Sequence, residues 1–211
     1  MPPTSAIVTE VSGAIAVIRF NRPAARNPLS IATLHELKET IATLTARKDL
    51  KTIVFTGTED VFAAGADISE LAQLHTEPAF DFARFGQSLF QAVADAKQVT
   101  IAAINGYCMG GALDLALACD IRVASPQAVF RHPGARLGII TGWGGTQRLP
   151  QLIGRSRSLE FFLTARLITA NEALSAGLIT LLDARPLDTA IRLAELLVSK
   201  TKEPDSLRAR L

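Results

Sequence analysis

The chain has 211 residues, 48% of them hydrophobic and 20% charged, a balance that excludes fibrous, disordered and disulfide-scaffold classes and describes one globular α/β-sized domain. Its 22 basic and 20 acidic residues are spread along the chain and leave a formal charge of +2, which provides no electrostatic footprint for nucleic acid. The longest uncharged stretch, Gln98 to Leu113, is interrupted by Asn105, Gly106, Gly110 and Gly111 and is too short for a membrane span.

Ala6 to Phe20 alternates in the manner of two strands around Gly13, which predicts a hairpin. Ser30 can cap a helix in which Ile31, Leu34, Leu37, Ile41 and Leu44 recur at helical spacing. Thr52 to Gly57 and Thr100 to Asn105 read as buried strands, with a long amphipathic helix over Phe80 to Lys97 between them. Gly110 to Cys119 is apolar nearly all round, as a fully buried helix is, yet carries Asp114 in its middle. Strands over Ile121 to Ala124 and Val129 to Arg131 follow, then a Gly-rich stretch from Leu137 to Gly145 and a helix through Leu152. A short helix over Thr169 to Ala176 stops at Gly177, before a strand near Leu178 to Leu182 and a helix over Leu187 to Lys200. The pattern predicts one α/β core over residues 1–200, thinning into a short helical C-terminal extension, and a polar tail over 201–211.

The start, Met1-Pro2-Pro3-Thr4-Ser5, has no basic patch leading into an apolar core, so a cytoplasmic address is expected. Cys108 and Cys119 lie in apolar sequence and read as packing residues, and the three histidines form no cluster at ligand spacing, so no metal is expected. The arginines of Arg155-Ser156-Arg157 and Arg208-Ala209-Arg210 read as solvated faces. Nucleotide-loop, dinucleotide, nucleophile-elbow and zincin motifs are all missing.

Two small-residue segments join a strand to a helix: Thr56-Gly57 through Ala63-Ala64-Gly65-Ala66-Asp67-Ile68, and Asn105-Gly106 through Met109-Gly110-Gly111-Ala112. Each either permits a tight turn and nothing more, or brings main-chain N–H groups and a helix start to a ligand as an oxyanion hole. Asp114, three residues beyond Gly111, is either paired with an arginine in the core or reaches the cavity that the Gly111 N–H would face.

With these pieces in place the chain resembles the crotonase, or enoyl-CoA hydratase/isomerase, superfamily. The resemblance rests on Asn21-Arg22-Pro23 with Asn27-Pro28-Leu29-Ser30, on Ala63 through Ile68, on Ile104-Asn105-Gly106 through Gly110-Gly111-Ala112-Leu113-Asp114 to Asp120, and on Gly144-Gly145-Thr146-Gln147-Arg148-Leu149. It implies a superhelical core of repeated ββα units, homotrimers or hexamers, acyl-CoA thioester substrates and no further cofactor. It also implies that the N–H groups of Ala66 and Gly111 hold the thioester oxygen, that Ala25, Asn27, Ala64, Asp67 and Ile68 line the CoA side, and that Arg26 is a candidate for phosphate. Similar hydratases move protons with two glutamates. Here the first position carries Asp114 and the second falls on Gly134.

Three ways of working follow from that departure: hydratase/isomerase chemistry with Asp114 as main acid/base, a single-carboxylate isomerisation or malonyl-type decarboxylation, or a non-catalytic acyl-CoA-binding subunit. His132, two residues before Gly134, either swings in as a replacement or points into packing, and a substrate carboxylate, water or anion could fill the space that Gly134 leaves. Trp143 either shapes the acyl site or serves the core. Relatives of this kind continue into further helices that cover the acyl end, whereas this chain ends at Leu211.

Overall fold

The computed structural model describes residues 5–200, so the polar tail and Arg208–Arg210 lie outside the described residues. The hairpin forms as β1 (Ile7–Ser12) and β2 (Ile15–Phe20), turning at Gly13, whose φ of 56° suits glycine. Next come β3 (Pro28–Leu29) and α1 (Ile31–Thr45), whose first turn is capped by the Ser30 hydroxyl accepting from the Thr33 N–H. Then follow β4 (Thr52–Thr56), β5 (Val61–Ala63), β6 (Gly65–Ala66), α2 (Ile68–Leu71) and α3 (Thr76–Ala94). The middle of the chain forms β7 (Val99–Ile104), β8 (Tyr107–Met109), α4 (Gly111–Ala118), β9 (Ile121–Ala124) and β10 (Val129–Arg131). After a 3-10 turn at Gly134–Leu137 come α5 (Gly145–Ile153), α6 (Arg155–Thr164), β11 (Ile168–Thr169), α7 (Ala170–Ala176), β12 (Leu181–Leu182) and α8 (Pro186–Lys200).

The strands sort into a six-stranded sheet, ordered β1-β2-β4-β7-β9-β12, a four-stranded sheet, β11-β10-β8-β5, and the pair β3-β6. From β4 onward the chain repeats one move: a long strand enters the large sheet, a short one enters the small sheet, and a helix follows. Thus β4, β7 and β9 stand side by side in parallel, as do β5, β8 and β10. This is the superhelical ββα arrangement that the motifs implied.

Residue alternation decides which layer each strand side chain joins. Ile53 and Phe55 of β4, with Ala102 and Ile104 of β7, face the main core beneath α1, α3 and α4. Val54, Ile101, Ala103 and Val123 face the other way, where Ala190 and Ala194 of α8 cover them. Burial on both faces is why these strands read as continuous apolar runs.

Three boundaries differ from the pattern-based expectation. The long helix spans Thr76–Ala94 rather than Phe80–Lys97, because Pro78 falls in its first turn, where no intrahelical N–H is required. The strand expected over Leu178 to Leu182 shrinks to Leu181–Leu182, since the Leu178 N–H donates back to the Ala173 carbonyl and closes α7 around Gly177. Arg155-Ser156-Arg157 does lie on a solvated face, and that face belongs to α6, a helix that the sequence pattern did not reveal.

Candidate active site

The cavity between β6, α2, α3, the start of α4 and the loop after β10 has a volume of about 360 Å³. Gly110, with φ 52°, turns the chain sharply out of β8 while its own N–H donates to the Arg131 carbonyl at 2.8 Å. Gly111 then contributes the first N–H of α4, where helix geometry offers no carbonyl partner and the dipole favours negative charge. Gly65 stands against this helix start so closely that a Cβ on it would meet the Met109 carbonyl oxygen at 2.6 Å, and this contact brings Ala66 beside Gly111 on the cavity wall.

Asp114 is 1% exposed, and no arginine among the described residues pairs with it. The buried Arg122 donates instead to the carbonyl oxygens of Leu178 and Cys119. The partners of Asp114 are His132, whose Nε2 lies 3.0 Å from Oδ1, and Thr141, whose hydroxyl donates to Oδ2. The His132 Nε2 approaches Oδ1 closely without the alignment of a hydrogen bond, and neither atom has another partner among the described residues. His132 therefore points into the site: β10 aims it at Asp114, and Phe161 and Phe162 of α6 hold the ring at centroid distances of 6.2 and 5.2 Å. Thr141 carried no sequence signal, being one hydroxyl in a Gly-rich loop. Among the described residues, Asp114 and His132 are the titratable ones on the cavity wall, and no lysine or arginine lines it.

Gly134 lines the same cavity but leaves no vacancy toward its missing side chain. A Cβ there would stand 2.6 Å from the Ile139 carbonyl oxygen, and the Ile139 N–H donates to the Gly134 carbonyl at 3.0 Å. The expectation that an anion or water fills this space is therefore corrected: loop backbone occupies it. Trp143 serves both roles considered for it, lining the cavity while packing edge-on against Phe82 and Phe90 at 5.2 and 5.5 Å. Its indole lies where Cβ atoms on Gly86 and Gly111 would be, so α3 and α4 both need glycine beneath it.

Of the CoA-side candidates, Ala64 and Ile68 reach the cavity wall, and Ala25 and Arg26 are exposed. The Arg26 guanidinium sits 5.9 Å from the centre of the Tyr107 ring, with its positive charge available to an anion. Asn27 does not present its side chain to a ligand. It is 2% exposed, accepts from the Arg22 N–H at 2.7 Å and donates to Thr58 Oγ1 and the Val61 carbonyl at 3.0 and 3.1 Å. The Asp67 carboxylate is likewise engaged, accepting from the Ser69 hydroxyl and, as the cap of α2, from the Ser69 N–H at 2.9 Å, which together hold it below the usual carboxylate range. Asn27 ties its loop from within, and Asp67 caps α2 from a partly exposed position. Cys108 and Cys119 are buried; burial, aided by the Asp114 charge, pushes the Cys108 thiol well up, and burial pushes Cys119 up to about 12.

Comparison with known proteins agrees with this geometry. The family model for enoyl-CoA hydratase/isomerase matches residues 10–208. A short-chain-enoyl-CoA hydratase from Clostridium acetobutylicum is 38% identical over 174 residues, which are 82% of this chain and 67% of the relative. A crotonyl-CoA hydratase from Syntrophomonas wolfei gives the same identity over the same shares. The crystal structure of an enoyl-CoA hydratase from Bacillus anthracis superposes with a TM-score of 0.88 at 34% identity, covering 92% of this chain and 77% of that one.

Proposed function

The chain belongs to the enoyl-CoA hydratase/isomerase family, and from that premise we propose that it binds an acyl-CoA thioester with an uncharged acyl group, forms its enolate and moves the proton with Asp114 and His132 acting as a pair. Enolate formation places negative charge on the thioester oxygen, and the N–H groups of Ala66 and Gly111 are the donors assigned to it. Two fixed donors in a water-poor cavity stabilise that charge, and losing one such donor typically slows reaction by ~10²–10³. The observation that carries the reading is the placement of the cavity's titratable groups: a buried carboxylate and an imidazole, facing each other one helical turn from the Gly111 N–H.

The same observation ranks the rival reactions. A cation is the usual partner for the second carboxylate of a malonyl-type substrate, and no lysine or arginine among the described residues lines the cavity. Leu71, Leu74, Phe82, Ile139, Ile140 and Trp143 favour a neutral acyl chain instead. Hydration and double-bond isomerisation both remain within reach of one proton-moving pair, since each can remove and return a proton through the same group. The apolar side chains of Ile139, Ile140, Leu159 and Leu163 are exposed, which supports self-association of the kind expected of a trimer.

Crotonyl-CoA, a 3-enoyl-CoA and methylmalonyl-CoA offered side by side to the wild-type protein test the proposal. Turnover of one or both neutral substrates, with methylmalonyl-CoA left intact, is the expected result. Decarboxylation of methylmalonyl-CoA as the fastest reaction would overturn it, and binding of all three without turnover would favour an acyl-CoA-binding role.

A further inference from the structure

Within this reading of the site, on which the inference rests, we propose that His132 is the group that exchanges a proton with the substrate, while Asp114 and Thr141 are positioning residues that orient it. The Asp114 carboxylate is one methylene shorter than a glutamate and recessed accordingly. Only 1% of the residue is exposed, and its two oxygens face protein: Oδ2 accepts from the Thr141 hydroxyl, and Oδ1 is enclosed between His132 Nε2 and the backbone of Gly145. A Cβ on Gly145 would collide with Oδ1, so the glycine is what admits the carboxylate at this depth. With Oδ2 engaged by Thr141 and Oδ1 facing His132 and Gly145, the carboxylate is committed to its protein neighbours.

The imidazole is not so committed. With Nε2 turned to Asp114, Nδ1 is the ring nitrogen left for the cavity that His132 lines, and no described residue hydrogen-bonds it. A carboxylate accepting from one ring nitrogen fixes the tautomer, so that Nε2 carries the proton and Nδ1 presents a lone pair. It also stabilises the imidazolium that forms when Nδ1 takes a proton, as the carboxylate of an Asp-His pair does in acyl transfer. The out-of-line Asp114–His132 contact is typical of sites without substrate, which tighten when it seats. Phe161 and Phe162 restrict the ring, and Thr141 restricts the carboxylate, so the pair has one arrangement rather than several. In isomerisation of a 3-enoyl thioester Nδ1 removes a Cα proton, the electron pair delocalises onto the thioester oxygen, and the imidazolium returns the proton at Cγ; in hydration Nδ1 takes the proton from water as its oxygen adds to Cβ, and the imidazolium protonates Cα of the enolate.

Exchange of the Cα protons of butanoyl-CoA into D2O, followed by NMR, reads this half-reaction whichever overall reaction the enzyme catalyses, and calorimetry with butanoyl-CoA reads binding separately. His132→Gln keeps a side chain that can donate to Asp114 but cannot exchange a proton; exchange should fall by ~10²–10⁴ with the butanoyl-CoA Kd within about threefold of wild type. In His132→Ala, added imidazole should restore part of the lost exchange. Thr141→Ser should retain wild-type exchange, and Thr141→Val should lose about tenfold with unchanged Kd. His132→Gln exchanging within about threefold of wild type, or His132→Ala binding butanoyl-CoA without any response to imidazole, would overturn the assignment. A wild-type protein that fails to bind butanoyl-CoA would instead remove the functional reading beneath it.

Discussion

Placing a glutamate at position 134 is the most direct way to ask whether this site has room for a second acid. A Cβ there meets the Ile139 carbonyl oxygen at 2.6 Å, a backbone atom with no rotamer to escape into. The loop must retreat by the better part of an ångström, which breaks the Ile139 N–H to Gly134 carbonyl bond and drags on Thr141, two residues further along. Overpacking costs about 1–3 kcal/mol and a lost hydrogen bond roughly 1 more, so Gly134→Glu should lose ~2–4 kcal/mol, or ~4–16 °C in Tm for a domain of this size. Gly134→Ala, which makes the same Cβ collision without the charge, should show most of this loss. Calorimetric melting of the three proteins, together with crotonyl-CoA hydration rates, provides the assay. The expected outcome is a lower Tm in both variants and no gain in hydration for the glutamate. A Gly134→Glu protein that melts with wild type and hydrates crotonyl-CoA ten times faster would refute the claim that backbone fills this position.

Three further outcomes follow from the packing and the charges. Trp143→Ala removes the side chain that spans α3, α4 and the cavity, and it should cost ~3–5 kcal/mol, or ~6–20 °C in Tm, while enlarging the acyl pocket enough for bulkier thioesters to compete in a turnover assay. Asn27→Ala leaves the Arg22 N–H and the Val61 carbonyl without their buried partner and should lose ~1–3 kcal/mol by urea unfolding, with weaker CoA affinity following from a loosened loop. Arg166 donates to Glu160 and Glu172 and holds both carboxylates below their ordinary range; that increment is present above the usual glutamate pKa and lost as pH falls through the lowered values. The three side chains are partly exposed, so Arg166→Gln should cost under ~1 kcal/mol at pH 7 and converge with wild type in strong acid, as read from melts across pH 2 to 7.

Long-period features of the fold were legible in the sequence because burial imposes them: β4 and β7 are apolar on both faces, and α4 is apolar all round, since each lies between two layers. Five of the two- and three-residue strands, β3, β5, β6, β8 and β11, carry no such pattern, because their positions are set by pairing with neighbours rather than by their own side chains. Glycine spacing pointed to the segments around Ala66 and Gly111, and a lone acid in an apolar helix pointed to Asp114. Which way His132 faces depends on β10 pairing in register with β8 and on two phenylalanines of α6, none of which is local to it. The roles of Thr141 and of the Ile139 carbonyl depend on the path of a glycine-rich loop, where backbone freedom leaves side-chain pattern silent. Asn27 and Asp67 were read as lining because motif position assigns a location and not a direction; the Asn27 side chain turns inward to tie its loop, and the Asp67 carboxylate is taken up in capping α2.

The account turns on where a thioester oxygen sits when an acyl-CoA occupies the cavity. A crystal structure of the protein with butanoyl-CoA measures this directly. The oxygen should lie ~2.7–3.1 Å from the main-chain nitrogens of both Ala66 and Gly111, with the thioester Cα facing His132 Nδ1. An oxygen bound to neither nitrogen, or a Cα turned toward the Phe82 side with His132 screened from it, would contradict the account.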